Sequence, residues 1–180
     1  MNINNYPEIK SGKDFISKIY VAIMLWIVGR AIQAASRVDR EVKKEFAEFP
    51  ADFMMCMSIL PFGPHMVVGK DKNGKVKYMG WNPQGKKITL TMNIKSMAAA
   101  MRVFTFQEST TTAFAHDRFT VDGDLVQGLA VVRVLNIVEV YLLPKIITKL
   151  AVKRYPKWSE MSPLRKWIGR IIIYVRAFTF

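Results

Sequence analysis

The sequence predicts an α+β fold. Helices lie on a five-stranded, largely antiparallel sheet, and extra amphipathic helices sit at the N- and C-terminal ends. Three observations carry this. An apolar stripe at spacings of three and four runs from Phe15 to Phe46. Between Phe53 and Met92 the period shortens to two, and turn-forming residues recur. Beyond Met92 the helical period returns, with one short strand at Phe119 and Val121 set into it. A period near 3.6 marks one buried helix face, and a period of two marks a strand with one covered face.

Residues 1–12 form a polar tail containing Pro7 and Gly12. Residues 13–49 form an N-terminal amphipathic helical segment. Phe15, Ile19, Ile23, Ile27, Ala31, Ala34, Val38, Val42 and Phe46 share one stripe, and Gly29 is a place where it could divide into two helices. Pro50 ends it. The run Ile19–Val28 is apolar but falls short of the roughly twenty residues a bilayer span needs. "IQAAS" at Ile32–Ser36 could pass for a signal cleavage site, but Arg30 interrupts that reading and the stripe continues beyond it.

Residues 50–144 make up the central domain. "FMMCMSIL" and "HMVVGK" read as strands separated by Pro61, Gly63 and Pro64. Asn73-Gly74 marks a hairpin, because both residues accept the positive φ that a tight turn demands. "KITLTM" alternates Ile88, Leu90 and Met92 against Thr89 and Thr91. The four strands are expected to pair antiparallel in consecutive order. Ile94, Met97, Ala98, Met101 and Phe104 then fall on one helical face, and Thr110–Thr112 interrupts. After the last strand comes a helix, Leu125–Leu143, that is apolar nearly all round. It must be covered on several sides, by another helix, a second subunit or a bound apolar molecule.

Composition narrows the function. Hydrophobic residues make up 51% of the 180 and charged residues 23%, which is a globular balance. The single cysteine, Cys56, excludes an internal disulfide and a cysteine-rich zinc site. The net charge of +13 points to an anionic partner. Its weight lies in residues 145–180, a basic amphipathic stretch with nine Lys or Arg and one Glu. There Leu164, Trp167, Ile168, Ile171, Ile172, Val175 and Phe178 fall opposite Arg165, Lys166, Arg170 and Arg176. Basic residues facing Trp and Ile suit an anionic membrane surface better than nucleic acid. Lys149, Lys153, Arg154, Lys157, Arg165, Lys166, Trp167 and Arg170 are the expected membrane contacts.

Catalytic patterns are weak. Asp122 and Asp124 have the spacing of a carboxylate pair that could hold a divalent cation in a small transferase, yet no nucleotide-binding pattern accompanies them. Asp124 stands where a helix N-cap is needed, and Gly123 suits the turn before it. His116-Asp117 has no serine in a nucleophile setting to serve, and His65 stands alone. No metal, cofactor or catalytic residue is assigned, and the chain is read as a non-enzyme.

"GKKITLTMNIKSMAAAMRVF", followed by "TTAFAHDRFTVDGDLVQGLAVVRVLNIVEVYLLP", resembles the second half of a sterol carrier protein type-two domain, in a bacterial member. The resemblance covers residues 52–143 and centres on Phe119-Thr120-Val121-Asp122-Gly123-Asp124-Leu125. It implies a hydrophobic tunnel between sheet and helices for sterols, fatty acids, phospholipids or acyl-coenzyme A. Leu90, Met92, Met97, Met101, Phe104, Phe119, Val121, Leu125, Leu129 and Val132 would line it. With the basic amphipathic tail, the expectation is non-catalytic lipid transfer or presentation by a cytoplasmic protein peripheral to the inner face of the membrane. The alternative is an accessory lipid-binding role in isoprenoid quinone synthesis. A homodimer through the terminal helices is a further option. "FTFQESTTT" replaces the glycine usual before the penultimate strand of that family, which puts the tunnel mouth in question.

Overall fold

The structure is a computed structural model and describes residues 14–105 and 107–142, with Ile171, Ile172 and Val175. Two helices open the chain, α1 (Asp14–Val38) and α2 (Arg40–Glu48). Four strands follow, β1 (Met54–Ile59), β2 (His65–Lys70), β3 (Val76–Gly80) and β4 (Leu90–Ile94). The remainder is α3 (Met97–Phe104), α4 (Thr110–Ala115), β5 (Phe119–Gly123) and α5 (Leu125–Leu142).

The five strands form one sheet in the order β3-β2-β1-β4-β5. Three pairings are antiparallel, but β4 runs parallel to β1, with Met55 opposite Leu90 and Ile59 opposite Ile94. This corrects the expectation of four consecutive antiparallel strands. A parallel neighbour needs a long crossover, and here the β2–β3 hairpin serves as that crossover. The chain therefore returns beside β1 rather than beside β3. Thr89 seals the join: its N–H donates to the Met54 carbonyl at 2.8 Å, and its Oγ1 accepts from the Met54 N–H at 3.0 Å. As a central strand, β1 is buried from Met55 to Ile59.

α1 is continuous through Gly29, and the helical segment breaks instead at Asp39. Gly29 serves close approach. A Cβ there would meet the Tyr78 ring at 2.6 Å and the Met66 sulfur at 3.0 Å, so its absence lets α1 lie directly on β2 and β3. Gln33 adds a polar tie, accepting from the Tyr78 N–H at 2.8 Å through its side-chain oxygen. The buried side of α1, including Val21, Leu25, Val28, Ala31 and Ile32, belongs to the same core as Met55, Met57, Leu90 and Met92.

Asp39 caps α2 by accepting from the N–H groups of Glu41 and Val42 at 2.8 and 3.0 Å. Its other carboxylate oxygen accepts from the Tyr141 hydroxyl at 2.7 Å, fastening the α1–α2 corner to the end of α5. Thr110–Thr112 proves to be the first turn of α4, because Ser109 caps it by accepting from the Thr112 N–H at 3.1 Å. α5 packs against α1, α2 and α4 as well as β4 and β5. Neighbouring helices therefore supply much of the cover that its all-round apolar surface demands. By length and composition α1 and α5 could each cross a bilayer, so Ile19–Val28 is part of a longer apolar helix than its own run suggests.

Candidate functional site

Asp122-Gly123-Asp124 is a turn and cap. Asp124 accepts from the Val126 N–H at 2.8 Å, and Gly123 takes φ +124° with the Thr89 carbonyl oxygen 2.7 Å from where a Cβ would stand. Asp122 is exposed. His116 and Asp117 serve different partners: His116 Nδ1 lies 2.7 Å from Glu108, and Asp117 pairs with Lys95. Glu108 also meets Arg118 Nε at 2.6 Å. Desolvation pushes the Glu108 carboxyl up, but the His116 and Arg118 hydrogen bonds and charges together outweigh it and hold the group below its usual range. The cluster ties α4 to β5 and opens into neither of the apolar spaces described next.

Among the described residues, two apolar spaces lie beside α1. The inner one is a cavity of about 30 Å³ between α1, β1, β5 and helices α3, α4 and α5. Met24, Val28, Met57, Phe104, Phe119 and Leu135 contribute to its wall, and Thr110 and Glu139 are its polar members. A space this size accepts one water and no hydrocarbon chain. In this structure the room beneath the helices is filled by the buried side of α1.

Of the ten residues expected to line a tunnel, Phe104 and Phe119 reach this cavity. Leu90, Met92 and Val132 are buried in the core, while Met97, Met101 and Val121 pack half-buried against it. Leu125 and Leu129 are 57% and 42% exposed and face away. The stripe they share with Val132, Leu135 and Glu139 is continuous in sequence, but it is covered only from Val132 onward. The eight expected membrane contacts between Lys149 and Arg170 lie outside the described residues.

The outer space is an open groove of about 680 Å³ between the N-terminal half of α1, the β1–β2 connection and the end of β3. Phe15, Ile19, Ile23, Trp26, Phe62 and Trp81 line it, with exposures of 39% to 86%. Its polar members include Lys18 and His65, and the His65 Nδ1 is shielded from solvent without a hydrogen-bond partner. Sequence reasoning missed this groove. The stripe Phe15, Ile19, Ile23 was visible as an apolar helix face, but its side-by-side placement with Phe62 and Trp81 depends on the sheet. The apolar width added by Trp26, beyond what a surface helix needs, was the available signal.

Glu139 is the unusual group of the inner cavity. The residue as a whole is half-buried, but its Oε2 is sealed from solvent and has no partner. Oε1 accepts from the Thr110 hydroxyl. Burial pushes the carboxyl up to about 7, against the lowering effect of that hydrogen bond.

Among known proteins, no family model matches this chain and no curated relative matches it. Solved structures similar to it include sterol carrier protein 2 from Yarrowia lipolytica in its apo form. That likeness has a TM-score of 0.42 at 10% identity, covering 63% of this chain and 88% of the other. Sterol carrier protein 2 like 2 from Aedes aegypti gives a TM-score of 0.31 at 11% identity, over 53% of this chain and 94% of the other.

Proposed function

We propose that this protein is a non-catalytic lipid-binding protein that takes up or presents a hydrocarbon ligand at a membrane surface. The outer groove is the observation that carries this. Its volume of about 680 Å³ lies within the range of roughly 300–1,000 Å³ found for small-molecule sites. Large apolar side chains left uncovered together, rather than scattered singly, mark a surface that meets an apolar partner. Each methylene moved from water into such a lining is worth about 0.8 kcal/mol, so a long chain is held with few polar contacts. A net charge of +13 draws the molecule to anionic headgroups, and Trp26 and Trp81 are suited to the interfacial layer.

The test is co-sedimentation with vesicles containing anionic phospholipid, alongside native mass spectrometry of the purified protein for retained lipid. Ile23→Glu combined with Trp81→Ser should abolish most vesicle binding and lipid retention while leaving the fold intact, since both side chains are more than half exposed. Retention of both properties in that variant, or a wild-type protein that takes up no lipid and ignores vesicles, would refute the reading.

A further inference from the structure

The wall of the outer groove is mostly apolar, and its few polar members are of one kind. Lys18 brings a positive charge, while His65 and Tyr78 bring neutral polar groups. Among the described residues that line the groove none is acidic, so the charge it offers a ligand is positive. Lys18 is exposed and forms no ion pair with a described residue. His65 opens β2, and its Nδ1 is sealed without a partner. A proton on Nδ1 would be a buried donor with no acceptor, the costlier way to leave that nitrogen. The neutral ring therefore carries its proton on Nε2, the nitrogen that is not sealed, and offers a donor in the groove wall. Size fits a single chain. From Phe15 to Trp26 the helix advances eleven residues, or roughly 16 Å at about 1.5 Å each. An extended chain advances about 1.2 Å per bond, so roughly thirteen bonds cover that distance. A carbon of such a chain takes about the room of a water molecule, roughly 30 Å³, and the groove of about 680 Å³ accommodates one chain of that length.

From this geometry we infer that the outer groove takes a single-chain lipid with a carboxylate end, Lys18 supplying the counter-charge and His65 Nε2–H a hydrogen bond. The chain lies against Ile19, Ile23, Trp26 and Trp81. A carboxylate carries one charge and only accepts, which matches one cation and one neutral donor. A phosphate monoester carries nearly two charges and would leave part of that charge uncompensated. An alcohol can accept from His65 but has no charge for Lys18, and an amine would meet Lys18 as a like charge. This inference rests on the lipid-binding reading above and names the ligand class within it.

The experiment measures binding of tetradecanoate, tetradecanol and tetradecylamine by competition against a fluorescent single-chain lipid, using the full-length protein below micelle-forming concentrations at about pH 7.5. Wild-type protein should bind the acid about five-fold more tightly than the alcohol, the margin of a partly exposed ion pair, and the amine most weakly. Lys18→Gln should bring the acid to within about two-fold of the alcohol while leaving the alcohol's own affinity unchanged. His65→Phe keeps the wall apolar but removes the donor, and should weaken acid and alcohol alike by about three-fold or more. Lys43→Gln removes the same charge from an exposed site on α2 outside the groove, and should leave the acid's margin intact. Lipid binding with no preference for the acid overturns the assignment of the carboxylate end while leaving lipid binding standing. A preference that Lys43→Gln reduces as much as Lys18→Gln does so too, since net charge alone would then explain it. A His65→Phe variant that binds as tightly as the parent overturns the part given to His65. Absence of binding by all three overturns both this inference and the lipid-binding reading.

Discussion

Replacing Glu139 by Gln should flatten the dependence of stability on pH, and the structure sets how far. Burial lifts the native carboxyl from an ordinary 4.5 to about 7, whereas the unfolded chain returns it to water. The native state therefore binds the extra proton. The contribution is fully present below about 4.5 and is lost as pH rises through about 7. A difference of about 2.5 pH units is worth roughly 3 kcal/mol, most of which falls between about pH 5 and pH 8.5. The substituted amide would not ionise, and its carbonyl can still accept from Thr110. Its NH₂ would face the cavity where Oε2 stood, at a cost of about 1–3 kcal/mol at every pH. The assay is urea denaturation of parent and variant across that interval, taking the difference between them so that other titrating groups cancel. The variant should gain on the parent by about 2–3 kcal/mol from the acidic to the alkaline end. A difference that stays constant within about 0.5 kcal/mol would show that Glu139 is hydrated in the native state, and the reasoning from its burial would fail.

Three further substitutions concern the joints between elements of the fold. Asp39→Ala removes two capping bonds and the Tyr141 contact together, and should destabilise the protein by about 2–4 kcal/mol in the same denaturation assay. Tyr141→Phe should cost about 1–2 kcal/mol, and the double variant should fall clearly short of the sum, since both report on one hydrogen bond. Gly123→Ala places a Cβ against the backbone oxygen of Thr89 at a φ that alanine resists, and a loss of about 2 kcal/mol or more in thermal unfolding is expected.

Several of these features were legible in the residues. The alternation of Leu90 and Met92 with Thr89 and Thr91 reported a strand with one covered face, and that face holds the core. Asn73-Gly74 announced the β2–β3 hairpin, and Asp124 announced a cap, because turn and cap chemistry is local. What failed was not local. Gly29 looked like a helix break, yet the backbone there is helical and the missing Cβ accommodates Tyr78, forty-nine positions away in sequence. The parallel placement of β4 beside β1 depends on how the hairpin folds over, and no short pattern encodes it. Leu125 and Leu129 matched the buried stripe of α5 by spacing, but spacing cannot say where along a helix the cover begins.

Residue patterns alone place the helices and strands, α4 excepted, and show which face of each is apolar and that an apolar surface and a strong positive charge coexist in one small chain. Local preferences and periodicity suffice for that, because they depend on residues within a turn or two of each other. Which apolar residues are buried and which stay exposed is fixed by packing between elements. One side of α1 packs into the core over the sheet, while Phe15, Ile19, Ile23 and Trp26 stay exposed beside Phe62 and Trp81. The same packing closes the interior around the Glu139 carboxyl. Both outcomes come from side chains that are distant in sequence competing for one volume, and that competition is settled only when all the elements are in place.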